Sequence, residues 1–212
     1  MKAAIILCGS GCLDGSEVHE ATLLFLMLKQ KEIDVDFFSL DEEISESIAH
    51  HTKQPIPHAR NMMEMSSRIS RGEIKDLKTL NVEEYEILAI PGGFGVAQNL
   101  SDWSEKQENC SVNKYLSFVI RKFFEAKKTI IAMCIAPMII GRVLQGSGIK
   151  MTVGTDKKQL AKLASMGIEA VDCTSDQACL DKVNKVYSVP AYMEPPDIVK
   201  IYQSLLQVLE EL

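Results

Sequence analysis

Nothing in this chain limits its fold more than the stretch Thr129-Ile130-Ile131-Ala132-Met133-Cys134-Ile135-Ala136-Pro137. Its first five residues are apolar or β-favouring and predict a short buried strand. A helical pattern of Met138, Ile139, Ile140, Val143 and Leu144 follows at once. Only Cys134 separates the two, so no loop is available to turn the chain. A strand that passes directly into a helix forces the residue between them into a strained conformation and lifts its side chain above the sheet. The helix then aims its unpaired N–H groups and positive dipole end at that spot, which favours a thiolate. Pro137 suits the first helical turn, where an N–H has no acceptor to lose. The same residues also describe a small buried apolar cysteine, the usual state of a free thiol.

The remaining strand-length apolar runs are residues 3–7, 35–38, 87–90, 151–153, 168–171 and 185–189. Helical patterns fall between them. One follows Ser16 as N-cap to about Lys31, others cover 110–126 and 156–166, and a terminal helix starts at Pro195-Pro196 with Ile198, Ile201, Leu205 and Leu209 on one face. Strands alternating with helices in this way predict an α/β fold, a mostly parallel sheet sandwiched by helices. No repeat, linker or low-complexity stretch interrupts residues 1–212, so a single domain is expected. The least regular part is 41–80, with a short helix expected over 61–70. A segment of that kind is a functional flap or an inserted hairpin.

A formal net charge of −6 and the absence of a Lys/Arg cluster with interleaved aromatics argue against nucleic acid or an anionic membrane as partner. No apolar segment approaches membrane-spanning length. Cys8, Cys12, Cys110, Cys134, Cys173 and Cys179 include no C-x-x-C pair and no zinc spacing, and the apolar run after Lys2 is short for a secretory signal. The expectation is a cytoplasmic protein with reduced thiols. His50, His51 and His58 lie near Asp41, Glu42 and Glu43, but their irregular spacing reads as surface rather than as a metal site.

In an open parallel sheet, sites form at the carboxyl ends of strands. Three motifs fall there: residues 9–17, the 91–95 turn, and Cys134. The glycines Gly9, Gly11 and Gly15 between strand and helix approach a dinucleotide fingerprint, with Asp41 as a ribose partner. Asp14 and Glu17 would then crowd a pyrophosphate, and the spacing departs from G-x-G-x-x-G. The alternative makes Glu17 the carboxyl partner of Cys134, shuttling protons if burial raises its pKa. His19 is a further supporting residue or a packed histidine. Gly93 can present a bare N–H, which with that of Ile135 would form an oxyanion hole above Cys134.

The stretch Pro91-Gly92-Gly93-Phe94-Gly95-Val96-Ala97-Gln98-Asn99-Leu100 and the elbow Ala132-Met133-Cys134-Ile135-Ala136-Pro137 resemble the PfpI-like branch of the class I glutamine amidotransferase-like superfamily. More narrowly, Asp14-Gly15-Ser16-Glu17-Val18-His19-Glu20-Ala21, Ala59-Arg60-Asn61, Arg71-Gly72-Glu73-Ile74 and Pro190-Ala191-Tyr192-Met193 resemble the ElbB-type isoprenoid-biosynthesis glyoxalases. The resemblance implies a flavodoxin-like three-layer sandwich and a homodimer. It implies Cys134 as nucleophile with Glu17 as its carboxyl partner, while Arg60 either points into the pocket or braces the irregular segment. The implied activity is a cofactor-free glyoxalase that turns a small aldehyde, glyoxal or methylglyoxal, into a 2-hydroxy acid. One departure stands out: no histidine follows His58, so the Cys-His pair of many superfamily members is absent and weak turnover is expected. A non-catalytic redox sensor built on a low-pKa Cys134 is the alternative.

Overall fold

The computed structural model describes residues Met1–Leu212. It is an α/β sandwich around a seven-stranded sheet. In chain order the elements are β1 (Lys2–Ile6), α1 (Val18–Gln30), β2 (Asp34–Ser39), the hairpin β3 (Ser47–Ala49) and β4 (Gln54–Ile56), α2 (Met62–Ser67), β5 (Lys75–Asp76) and β6 (Ile87–Ile90). Then come α3 (Phe94–Gln98), α4 (Trp103–Lys106), α5 (Lys114–Glu125), β7 (Thr129–Met133), α6 (Ala136–Val143), β8 (Lys150–Met151), α7 (Lys157–Ser165), β9 (Glu169–Ala170), β10 (Cys179–Asp181), β11 (Val186–Val189) and α8 (Ile198–Glu210).

The strand order is β10-β11-β7-β6-β1-β2-β5, parallel except for the β10–β11 edge pair. The central strands β1, β6 and β7 are buried over nearly their whole length, as strands covered on both faces must be. Alternate residues divide between two cores. Ala4, Ile6, Leu88, Ile90 and Ile130 pack beneath α5 and α6, whereas Ile5, Leu7, Ala89 and Ile131 meet α1 and α8. β2 lies on one side of β1 and β6 on the other. The order therefore reverses between β1 and β6, and a crevice opens there at the carboxyl ends.

Several expectations shift. The irregular 41–80 segment is partly the inserted hairpin β3–β4, partly α2 and the edge strand β5. The run near Met151 forms β8, which pairs only with β9 outside the main sheet. The main sheet continues beyond β11 with β10, whose three residues Cys179-Leu180-Asp181 are too few to show a strand period. Ser16 is not the cap of α1. Its hydroxyl instead accepts the Cys8 N–H at 2.9 Å and fixes the loop to β1, and Glu17 caps the helix. The terminal helix is capped by Asp197 rather than begun by the two prolines.

Candidate active site

Cys134 sits between β7 and α6 with φ of +58°, the left-handed region that costs a side chain about 1–2 kcal/mol. Its own N–H donates to Val189 O at 3.0 Å, the last rung of the β7–β11 ladder. The elbow is therefore held from both sides, and the side chain is 9% exposed at the sheet's edge.

The β6 turn supplies the next layer. Gly92 packs so closely that a Cβ there would lie inside contact distance of Cys134 Cβ, 2.8 Å from Glu20 Oε2 and 2.9 Å from Cys134 Sγ. No other residue fits. Gly93, at φ +101°, lies against Gly15 O and Glu17 N, and its conformation turns the chain into α3. The N–H groups of Gly93 and Ile135 both act to favour a thiolate at Cys134. The two groups expected to form an oxyanion hole thus converge first on the nucleophile itself.

The carboxyl group that touches Cys134 is Glu20, not Glu17. Glu20 is 0% exposed. Its Oε2 accepts the Gly92 N–H at 2.7 Å, the Tyr192 N–H approaches Oε1 at 3.4 Å, and Oε2 and Cys134 Sγ crowd the same space beside Gly92. Burial pushes Glu20 up to about 8, against the pull of the Gly92 N–H and with help from the Glu17 charge. Burial likewise raises the Cys134 thiol, reinforced by the Glu20 charge and opposed by the Gly93 and Ile135 N–H groups. The expected low-pKa cysteine is therefore not what the fold builds: desolvation outweighs the helix N-terminus. Near neutral pH the pair is held mainly protonated, and removal of one proton leaves an anion shared between carboxyl and sulfur.

Glu17 has a different place. Its Oε2 accepts the Glu20 N–H at 2.7 Å, and its own N–H donates to Gly92 O at 2.9 Å. It stands on the wall of a cavity of about 540 Å³ onto which Cys134, Gly93 and Ile135 also open. One turn of helix thus carries two carboxyls, Glu20 beneath the sulfur and Glu17 facing the cavity. His19 reaches Tyr192 Oη at 2.7 Å and Glu17 Oε1 at 4.0 Å, supporting the wall from the solvent side. Arg60 is away from the site. Its guanidinium lies 3.9 Å from Met65 Sδ and braces α2.

The 9–17 loop is shaped by close backbone approach. A Cβ on Gly15 would collide with the backbone of Gly9 and Ser10, and one on Gly95 would lie 2.6 Å from Gly15 Cα. The glycines that approach a dinucleotide fingerprint are spent packing this loop on itself and on the β6 turn, which leaves no cradle for a pyrophosphate. Asp41 is bonded to Asn61 Nδ2 at 2.7 Å instead of standing free for a ribose. Asp14 is buried and accepts the Ile48 N–H at 2.7 Å, while His50 Nε2 accepts the Leu13 N–H at 3.2 Å, so the hairpin braces the loop. His50, His51, His58 and the nearby acids form no cluster of metal-ligand type.

The DJ-1/PfpI family model matches residues 2–184. The chain belongs to the DJ-1/PfpI family. Within it, the chain is similar to the human glutamine amidotransferase-like class 1 domain-containing protein 3, mitochondrial, at 34% identity over 202 residues, covering 91% of this chain and 75% of that protein. It is also similar to the rat ES1 protein homolog, mitochondrial, at 32% identity over 214 residues, covering 96% of this chain and 80% of that one. Among solved structures it matches an isoprenoid biosynthesis protein with amidotransferase-like domain from Ehrlichia chaffeensis, with a TM-score of 0.90, 31% identity and 99% of each chain covered. Drosophila DJ-1beta shares the DJ-1/PfpI fold at a TM-score of 0.60 and 16% identity. Both curated relatives bear mitochondrial names, in contrast to the cytoplasmic expectation for this chain. No helix is long and apolar enough to cross a membrane.

Proposed function

We propose that this protein is an ElbB-type, cofactor-free glyoxalase that converts a 2-oxoaldehyde to a 2-hydroxy acid through Cys134. The observation that carries the reading is the pairing of Cys134 with a fully buried carboxyl, Glu20, under two N–H donors and beside a second carboxyl that faces a cavity. The similarity to the Ehrlichia isoprenoid biosynthesis protein supports the narrower assignment.

The thiol proton passes to ionised Glu20 as the sulfur bonds to the aldehyde carbon, and Glu20 hands that proton to the aldehyde oxygen to give a hemithioacetal. The Gly93 and Ile135 N–H groups, relieved of the thiolate charge as the C–S bond forms, bond the oxygen where charge develops. Glu17 removes the proton from that carbon, the hydroxyl proton shifts to the neighbouring oxygen through the enediol, and Glu17 returns the first proton to the neighbouring carbon, which leaves a thioester. Water hydrolyses the thioester, so the acid leaves and the thiol is restored. With no histidine at the elbow, the thiol depends on a carboxyl of raised pKa, and turnover is expected to be slow.

The decisive assay is methylglyoxal consumption by the purified protein. Cys134→Ala and Cys134→Ser are expected to abolish it, and retained turnover in either rejects the proposal. A redox-sensing role draws on the same N–H donors, which would also hold an oxidised sulfur. Turnover no faster than that of a free thiol would favour it. A homodimer is part of the proposal, supported by exposed Phe25, Leu26 and Val199 on the packed helices α1 and α8. Sedimentation at twice the 23.6 kDa chain mass tests it.

A further inference from the structure

The cavity over Cys134 is far larger than the smallest glyoxals need. At about 540 Å³ it lies in the range that encloses drug-sized ligands. Methylglyoxal has five non-hydrogen atoms and fills roughly the space of three to five waters, on the order of 100–150 Å³ at about 30 Å³ per water. The surplus is mainly apolar, with Ser104 and Gln159 as further polar residues on the wall. Leu13, Phe94, Trp103, Ile135 and Met193 line it, and Phe94 is 56% exposed where the cavity meets solvent. No Lys or Arg stands on the wall, and Glu17 is its one charged side chain. Gln107, which also lines the cavity, has its amide committed elsewhere: Nε2 donates to Trp103 O at 3.0 Å and Oε1 accepts from Lys162 Nζ at 2.7 Å.

Such a wall offers no cation to a phosphorylated or carboxylated tail, whose lost hydration would go uncompensated. A small aldehyde would leave the apolar surface hydrated and draw no binding energy from it. We propose that the substrate of this site is an uncharged 2-oxoaldehyde bearing an apolar alkyl or aryl tail, which lies along Phe94, Trp103 and Met193 while its aldehyde carbon meets Cys134. This rests on the glyoxalase reading for the chemistry, though not for the tail site. Each methylene buried on the wall raises kcat/KM by about fourfold, so butylglyoxal is expected to exceed methylglyoxal by roughly 60-fold.

The test is kcat/KM along methyl-, ethyl-, propyl- and butylglyoxal with the full chain, together with Ala97→Phe and Ser104→Phe. Both substitutions fill the cavity, the first from its buried side and the second from the exposed rim, where folding is not at stake. A climb along the series that either folded variant flattens supports the proposal. Turnover of methylglyoxal with no climb overturns it. The sole tryptophan, Trp103, gives a readout independent of turnover, since its fluorescence reports what occupies the wall. If no glyoxal is consumed, but uncharged 2-hydroxyhexanamide quenches Trp103 where equimolar lactamide does not, the tail site stands and the glyoxalase reading falls. If nothing is consumed and neither amide alters the fluorescence, the tail site is rejected as well.

Discussion

Replacing Glu20 by Gln separates the burial of this carboxyl from its chemistry. The amide keeps an oxygen to accept the Gly92 N–H, now bonded at 2.7 Å, and cannot ionise. In the folded protein burial raises the carboxyl from 4.5 to about 8. The native state thus holds a proton that the unfolded chain releases, and folding stability falls as pH rises. The contribution is fully present below about pH 4.5, declines toward the one-proton limit of about 1.4 kcal/mol per pH unit, and levels off above pH 8. Between pH 5.5 and 8 the native protein is expected to lose about 3 kcal/mol relative to Glu20→Gln. Cys134, raised in the same sense by burial, titrates higher and lies mostly outside this window. Urea unfolding of both proteins at half-unit pH steps measures the difference directly, and groups common to both cancel. Parallel stability curves across this range would show that Glu20 is ionised in the native state, which would refute the account of the Cys134–Glu20 pair.

The same ionisation sets activity: kcat/KM for a glyoxal is expected to rise with pH and level off with an apparent pKa near 8, read from a pH–rate profile, and Glu20→Gln is expected to lose that inflection. Glu17→Gln is expected to slow turnover by about 100-fold or more while leaving the rate of Cys134 alkylation little changed, because Glu17 faces the cavity and Glu20 faces the sulfur. Gly92→Ala forces a methyl into Cys134 and Glu20, so thermal denaturation should show a loss of about 1–3 kcal/mol or more, together with lost activity. His50→Ala removes the acceptor of the Leu13 N–H, and limited trypsin digestion should cut the exposed hairpin at Lys53 faster than in the native protein.

Much of the frame follows from local pattern. Strand β7 spans the residues its apolar run predicts, β6 likewise, and Asp156 caps α7 at the start of its predicted range. The elbow at Cys134 needed only the absence of a loop between strand and helix, since chirality leaves a single residue there little choice but a positive φ. The weaker elements failed for equally local reasons. β8 and β10 are two and three residues long, too short for a period to declare itself, and which of them joins the sheet depends on pairing rather than sequence.

The site divides along the same line. Sequence alone determined that a cysteine, a glycine turn and an acidic helix start would meet at the carboxyl end of a parallel sheet. Tertiary structure decided which acid does what. Glu17 and Glu20 lie three residues apart at the start of α1, close to one face, and nothing local distinguishes them. Gly92, brought in from β6, accepts Glu17 N–H with its carbonyl and gives its own N–H to Glu20, which draws Glu20 under the sulfur and leaves Glu17 on the cavity wall. The sign of the Cys134 shift was decided there too. A helix N-terminus can be read from sequence, but its pull on a thiol is modest beside the loss of water around a buried pair. That enclosure exists only once residues 20, 92 and 134 are packed together.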